Sequence, residues 1–578
     1  YVSMAAMKTF LNATQNYRLL KGQQTNLYRC FLPQAWDHSS EKGISAFVHP
    51  DGIWNDSKAA ALRAEGDARL RVHFQFSNEL KMFAGVHHHT TFSLNAYGDP
   101  RVENRFDAIF NLYHPETIEQ CYSSDGTGEI PGIKNEKGEW NTEGHPARVI
   151  HIGKEELVTF GKLLGDADWH GARVLNVHAR PLMDVLTKMA EQDKTLGSLN
   201  AQGKLDTSVF WDETNSRKDG TLKDEVSFPP SLNESIYSGA HLGVANPIYQ
   251  TTRAIYRVNS DYDPVDLTEI SDDYRIRTKY RRACLRTEYE KRMPVTSWGD
   301  SFDASYRLAN REYVGCSSER TLQAAILPPG VGWINKVFGF ATPCLSIIAL
   351  MAGYTSSIPF DYFVRAIGKP DVNYATTMQY PLVDSVLNQE IICRALMLNC
   401  LTQDYAKLWA DCWNDCFMNI EWAKCDPRLD TGSFVGLTNS WEWTTPLRTD
   451  YERRQALIEL DVLVSMALGL TLEQLETVYR LDFSVLQSYE NDTWYDRNGR
   501  IAFSKKSLGA SKPSRQDFER AHTAQCDIEV PFTDDTLPGG PRERTIRYKA
   551  PFDGCDRIAD YRQSWAFFSD KYGMEAER

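Results

Sequence analysis

Two short stretches in which every second residue is apolar constrain this chain most. Residues 68–76 place Leu70, Val72, Phe74 and Phe76 in alternation, and Phe92 to Tyr97 repeats the pattern. A period of two marks a strand whose two faces differ. Upstream, Ile44 to Val48 is a short apolar run that His49-Pro-Asp-Gly ends as a turn, and residues 25–36 set Leu27, Phe31 and Leu32 at helical spacing. Strands separated by helix-sized segments predict an α/β layer over residues 1–125.

The chain has 578 residues, and at roughly 100 to 200 residues per domain it predicts several folding units. Ser123 to His145 is rich in Gly, Asp, Glu and Asn and is read as a boundary, which makes residues 126–250 a connector or insertion. Within it Glu155 to Leu164 and Leu182 to Glu191 look helical, whereas Trp211 to Pro230 is polar loop. Residues 251–440 form a mixed α+β region, with Thr321 to Pro328 as a strand and Ala341 to Ala352 as a buried helix. Residues 441–578 begin helically: Gln455 to Leu468 presents a broad apolar face, Gly469 closes it, and Thr471 with Gln474 opens a second helix. Beyond Ser504 the composition predicts an extended tail. The uncharged stretch Val337 to Phe360 is broken by Thr342, Pro343 and Ser346, too short an apolar centre for a span of ~20 residues.

A formal charge of −13 excludes a surface that is wholly a polyanion-binding face and confines any nucleic-acid site to a local patch. One such patch is evident. Asp261, Asp263, Asp266, Glu269, Asp272 and Asp273 precede residues 275–292, which hold eight Lys/Arg against two Glu, with Tyr274, Tyr280 and Tyr289 interleaved. Phosphate contacts are expected from Arg275, Arg277, Lys279, Arg281, Arg282 and Arg286, with Tyr280 against bases. The bland alternative is pairing with the upstream carboxylates. Twelve cysteines without a CxxC pair suit reduced thiols in the cytoplasm, with Cys412 and Cys416 on one helix face. No basic stretch followed by an apolar run opens the chain, so secretion is not expected. No phosphate-binding loop, HExxH or GxSxG occurs, and His87-His88-His89 reads as a turn or strand entry, so no metal is expected.

Read as text, Gly22 to Trp36, Gly43 to Asp56, Leu70 to Gly98, Glu319 to Gly330, Asn491 to Ser504 and Leu537 to Arg562 resemble the C-terminal half of large bacterial DNA adenine methyltransferases. These are the restriction-modification and type IIG-like enzymes, also found in DISARM- and BREX-like phage-defence systems. The resemblance implies a partial Rossmann-like methyltransferase sheet followed by a target-recognition region, S-adenosylmethionine as cofactor and double-stranded DNA as partner. It also places Asn26 and Tyr28 near the active site and makes 44–48 and 92–97 later strands of the sheet. In such enzymes an Asn-Pro-Pro-aromatic tetrapeptide holds a flipped adenine against the methyl donor.

Neither that tetrapeptide nor the glycine-rich cofactor motif occurs in these 578 residues. Asn246-Pro247-Ile248-Tyr249 and Pro328-Pro329-Gly330 come nearest, and each reads as a connector or a strand start. Both catalytic elements are therefore expected before Tyr1 or on a separate chain, and no catalytic residue is assigned here. Two alternatives stand beside this reading: a non-catalytic recognition subunit that partners a separate methylase or other defence-system subunits, and a carbohydrate-active enzyme using Glu490 and Asp492 beside Trp494.

Overall fold

The computed structural model describes residues 2–24, 26–313, 315, 318–369, 371–505 and 510–574. Tyr1 and Thr25, from which two of the readings above start, lie outside them. The architecture is mixed α/β, with several small sheets and many helices. It divides into two compact units: residues 1–193 with 362–369 and 477–484, and the remainder.

The first unit carries the alternating strands. Five strands, β1 (Ser45–Pro50), β2 (Leu70–Ser77), β3 (Thr91–Tyr97), β4 (Phe106–Leu112) and β5 (Ile150–Ile152), lie in the order β1-β3-β2-β4-β5. β3 runs antiparallel to both its neighbours, in register with Val48 opposite Leu94 and Phe74 opposite Leu94, and β2 is parallel to β4. β1, β2 and β4 therefore point the same way, and their carboxyl ends share one rim of the sheet. A hairpin joins β2 to β3, while β1 reaches β2 by a crossover that contains the helix Ala60–Asp67. Phe74, Phe76, Phe92, Ile109, Leu112, Cys121 and Val149 pack together as a core.

β1 is paired on one side only; among the described residues no strand lines its other edge. The apolar residues nearby in sequence are not buried either. Helix α2 (Leu27–His38) buries Leu32 but leaves Leu27 56% and Phe31 62% exposed, and helix α1 (Val2–Asn12) buries nothing although it carries Val2, Met4, Met7 and Phe10. The polar stretch 123–145 lies inside this unit, where Ile133 N donates to Leu481 O at 3.0 Å.

The second unit has a four-stranded antiparallel sheet in the order Ala324–Leu327, Arg307–Arg311, Val337–Ala341, Asp206–Ser208. Its core gathers Trp333, Tyr237, Leu267, Tyr274, Ile276 and Phe302. The helix expected over Ala341 to Ala352 is buried as anticipated but runs Leu345–Thr355, because Ala341 still belongs to the strand. Asp450–Ala467 is the long helix, opened by reciprocal Thr449 and Glu452 bonds and followed by Gly469 at φ 74°. Thr471 and Gln474 bond reciprocally as expected, at 2.9 and 3.2 Å.

The segment beyond Ser504 is not an extended tail. It forms a helix Arg515–Ala524, a hairpin Ile528–Asp534/Arg542–Tyr548 and a 16-residue helix Arg557–Tyr572. Phe518, Ala521, Ile528, Ile546, Tyr548 and Phe552 give the hairpin its own core, which the run of Pro, Gly and charge concealed. Arg557 anchors the last helix, donating to Asp461 at 2.7 Å and to both Glu490 oxygens at 2.7 and 2.9 Å. Among the described residues no single helix is long and apolar enough to cross a membrane.

Candidate nucleic-acid and active-site surfaces

At the carboxyl ends of β1 and β2 the first unit buries a chain of polar side chains. His49, Asp51, His73, Gln75, Ser93 and Asn95 are each at most 4% exposed. The His49 Nδ1–H donates to Pro50 O at 2.9 Å, leaving Nε2 bare to accept from Asn95 Nδ2 at 3.0 Å. Asn95 Oδ1 in turn accepts from His73 Nδ1 at 2.8 Å, and this amide orientation and these tautomers are the ones that satisfy the network. Asp51 Oδ2 accepts from Gln75 Nε2 at 2.8 Å, while Asp51 Oδ1 and His73 Nε2 face each other at 3.8 Å with no closer partner. Burial holds both imidazoles below their ordinary pKa and therefore neutral.

Tyr28 closes this cluster from above. Its ring stacks on His49 at 5.0 Å, and its hydroxyl accepts from Arg29 Nε at 3.2 Å. Arg29 also donates to Gln23 at 2.9 Å and to Asp56 at 2.6 Å. Burial raises the Tyr28 phenol against the pull of Arg29; burial would also raise Asp56, but its bonds to Arg29 hold that carboxyl below the usual range. Asn26, the other residue assigned by resemblance, is exposed at the start of α2 and makes no side-chain capping bond. The structure thus brings Tyr28, but not the Asn26 side chain, to the strand ends where α/β sheets bind their ligands. Most donors and acceptors of the cluster bond one another, and Gly52 is the lone glycine of the turn. The set does not fit a methyl-donor pocket by itself, and no transfer step is derived from it.

The basic stretch is largely consumed by the second unit's interior. Arg277 is buried and donates in a fork to Asp535 at 3.0 and 3.1 Å; Arg281 is buried with Ser227, Thr278 and Glu234 as acceptors. Tyr280 is buried and donates to Glu213 at 2.7 Å, and Arg282 pairs with Glu234 at 2.6 Å. Arg277, Tyr280 and Arg281 are thereby removed from any surface that meets phosphate. Thr278–Arg282 is a strand paired with Leu222–Ser227 whose register shifts between Thr278 and Tyr280, and the consecutive Tyr280 and Arg281 are both buried. Their partners come from Glu213, Glu234 and Asp535, not from the six upstream carboxylates. Arg286 is exposed and paired with Glu290 one helical turn on, at 2.6 Å.

Arg275 and Lys279 are half-buried and line two clefts, Lys279 with its ammonium 3.7 Å from Glu213. Arg275 lines a cavity of about 430 Å³ with Phe228, Pro230, Tyr274, Leu537 and Arg542. Its NH1 donates to Pro230 O at 3.3 Å and its Nε has no partner; Arg542 donates to Pro538 O at 2.8 Å. Among the described residues neither guanidinium is in an ion pair. Of the cleft's carboxylates, Glu269 is held by Arg544 at 3.0 Å and Asp273 accepts from Ser271. Lys279 lines a second cleft with Tyr256, Arg257, Asp224 and Glu225, its ammonium 4.9 Å from the Tyr256 ring.

Arg542 was missed because it lies far along the chain in a segment read as tail; its place in the LPGGPRER turn was the available signal. Three other readings are settled by geometry. Glu490 is clasped by Arg454 at 3.1 Å and by Arg557, and Asp492 by Arg515 at 3.3 Å, so this pair is not free for acid–base work on a glycoside. Cys412 ends one helix and Cys416 lies in a separate turn, so they do not share a helix face. Asn246 to Tyr249 leads into the strand Gln250–Thr252, the strand-start role of the two that were read for it.

No family model matches the chain, and no curated protein matches it. Among solved structures, the chain is similar to the type IIL restriction-modification enzyme MmeI, determined in complex with DNA, at 12% identity and a TM-score of 0.35, over 83% of this chain and 55% of that one. It is also similar to the type IIG restriction endonuclease BpuSI, at 12% identity and a TM-score of 0.25, over 80% of this chain and 52% of that one. The chain spans about half the length of each.

Proposed function

We propose that this chain is the DNA-recognition portion of an S-adenosylmethionine-dependent DNA adenine methyltransferase of a restriction-modification or phage-defence system, with its cofactor and catalytic motifs carried by residues outside it. The observation that carries this reading is the incomplete sheet. β1 is open along one edge, apolar side chains of α1 and α2 stand bare, and Tyr28, His49 and Asp51 gather at the strand's carboxyl end. An open edge of this kind is a template on which another strand can pair, and ligands of α/β sheets sit at the carboxyl ends of their strands. The six segments that resemble adenine methyltransferases, together with the missing Asn-Pro-Pro-aromatic motif, supply the chemistry of the missing part. DNA contact is assigned to the cleft of Arg275 and Arg542, with Phe228 and Tyr274 as stacking surfaces.

The test is methyl transfer from labelled S-adenosylmethionine to a mixed-sequence duplex, alongside a binding titration. The chain alone should bind duplex DNA and transfer nothing; supplied with the missing half, it should methylate adenine. Robust turnover by the chain alone, or no duplex binding at low salt, overturns the proposal.

A further inference from the structure

The connection between β2 and β3 is built more firmly than a surface hairpin needs. Asn78 is fully buried at its start, where its Nδ2 donates to Phe83 O and Val86 O, both at 3.0 Å, and its Oδ1 accepts from Phe83 N at 3.0 Å. Its backbone N donates to Thr90 O at 3.0 Å, and Thr90 N donates to His87 O at 3.0 Å. Both ends of the loop are therefore pinned. Consecutive side chains diverge on a regular strand, but His88 and His89 sit in a turn, and their rings converge to 3.8 Å.

Glu79, one residue past the Asn78 clamp, faces both. Its Oε2 lies 3.2 Å from His88 Nδ1 and its Oε1 2.7 Å from His89 Nδ1, and one donor atom from each of the three residues lies within 4.8 Å of the others. The carboxylate is 12% exposed while the two imidazoles are 42% and 48% exposed, so the cluster opens to solvent on the histidine side. The His87 ring stands 4.6 Å from that of His88.

We propose that Glu79, His88 and His89 form a binding site for a first-row divalent transition ion, zinc by ligand chemistry. Two imidazole nitrogens and one carboxylate oxygen are the donor set that such ions take, whereas magnesium and calcium prefer oxygen alone. Three protein ligands leave further positions to water, as at an open zinc centre. The ion binds the two Nδ1 lone pairs, each ring carrying its single proton on Nε2, takes Glu79 as carboxylate and cross-links the two ends of the loop.

Calorimetric titration of the tag-free full chain with zinc chloride tests this. One ion per chain is expected, with affinity falling about tenfold or more in each of His88→Ala, His89→Ala and Glu79→Gln, and no heat from magnesium chloride. Because the imidazoles are half-exposed, the variants should unfold at the wild-type denaturant midpoint. A cobalt(II) absorption band that is lost in His88→Ala/His89→Ala gives an independent readout. No binding at 100-fold excess of zinc over chain, or binding indifferent to these substitutions, overturns the proposal and leaves the contacts as surface ion pairs.

Discussion

Removing Arg275 and Arg542 together isolates the DNA contact assigned to the 430 Å³ cleft. Both guanidiniums lack an ion-pair partner among the described residues, so Arg275→Ala/Arg542→Ala strips two charges without stranding a buried carboxylate. Each phosphate contact contributes about 0.9 to the slope of log K against log salt. Losing two flattens the slope by about 1.8, so from 50 to 200 mM salt the wild type should lose about 12-fold more affinity than the variant. Fluorescence anisotropy with a labelled duplex across that range reads both slopes. Arg277→Ala provides the contrast: its fork to Asp535 is internal, so it should lower the unfolding midpoint and leave the salt slope unchanged. A double variant with the wild-type slope refutes the assignment of phosphate contact to this cleft.

Three further outcomes concern stability. Gly171 has φ +70°, and a Cβ there would stand 2.2 Å from Ala60 O; Gly171→Ala should cost about 2–4 kcal/mol by urea titration, through left-handed strain and overpacking. Arg557→Met leaves Asp461 buried without its guanidinium and should cost about 3–5 kcal/mol, with an unchanged midpoint counting against it. Burial lowers His178 and His241 to about 3, so below the unfolded value of about 6.5 the unfolded chain binds more protons and stability falls with pH. Between pH 7 and pH 5 each should withdraw about 2 kcal/mol, and His178→Gln should remove its share of that loss.

The strands were legible because their alternation is strict, yet the same alternation hid the polar cluster. In β2 the alternation of Leu70, Val72, Phe74 and Phe76 drew attention to the apolar set and left His73 and Gln75 between them without a reading. Every residue from His73 to Phe76 is buried, so both faces of β2 are covered there and His73 and Gln75 lie inside. A strand with two covered faces and polar residues on one of them signals a network, and only the packing of the folded chain shows that both are covered. The basic stretch failed as a surface for a related reason. Composition counts charges, whereas pairing decides which way each points, and the acceptors of Arg277, Arg281 and Arg282 lie 258, 54 and 48 residues away. The helix Asp450–Ala467 and the Thr471 cap were readable because their determinants are local.

The bare rim of β1 bears on how this chain behaves in a test tube. Its amide and carbonyl groups form a template that another copy's strand can zip onto, and the greasy patches beside it reward that union. Concentrated samples should drift toward dimers and larger species at a rate that rises with the square of concentration.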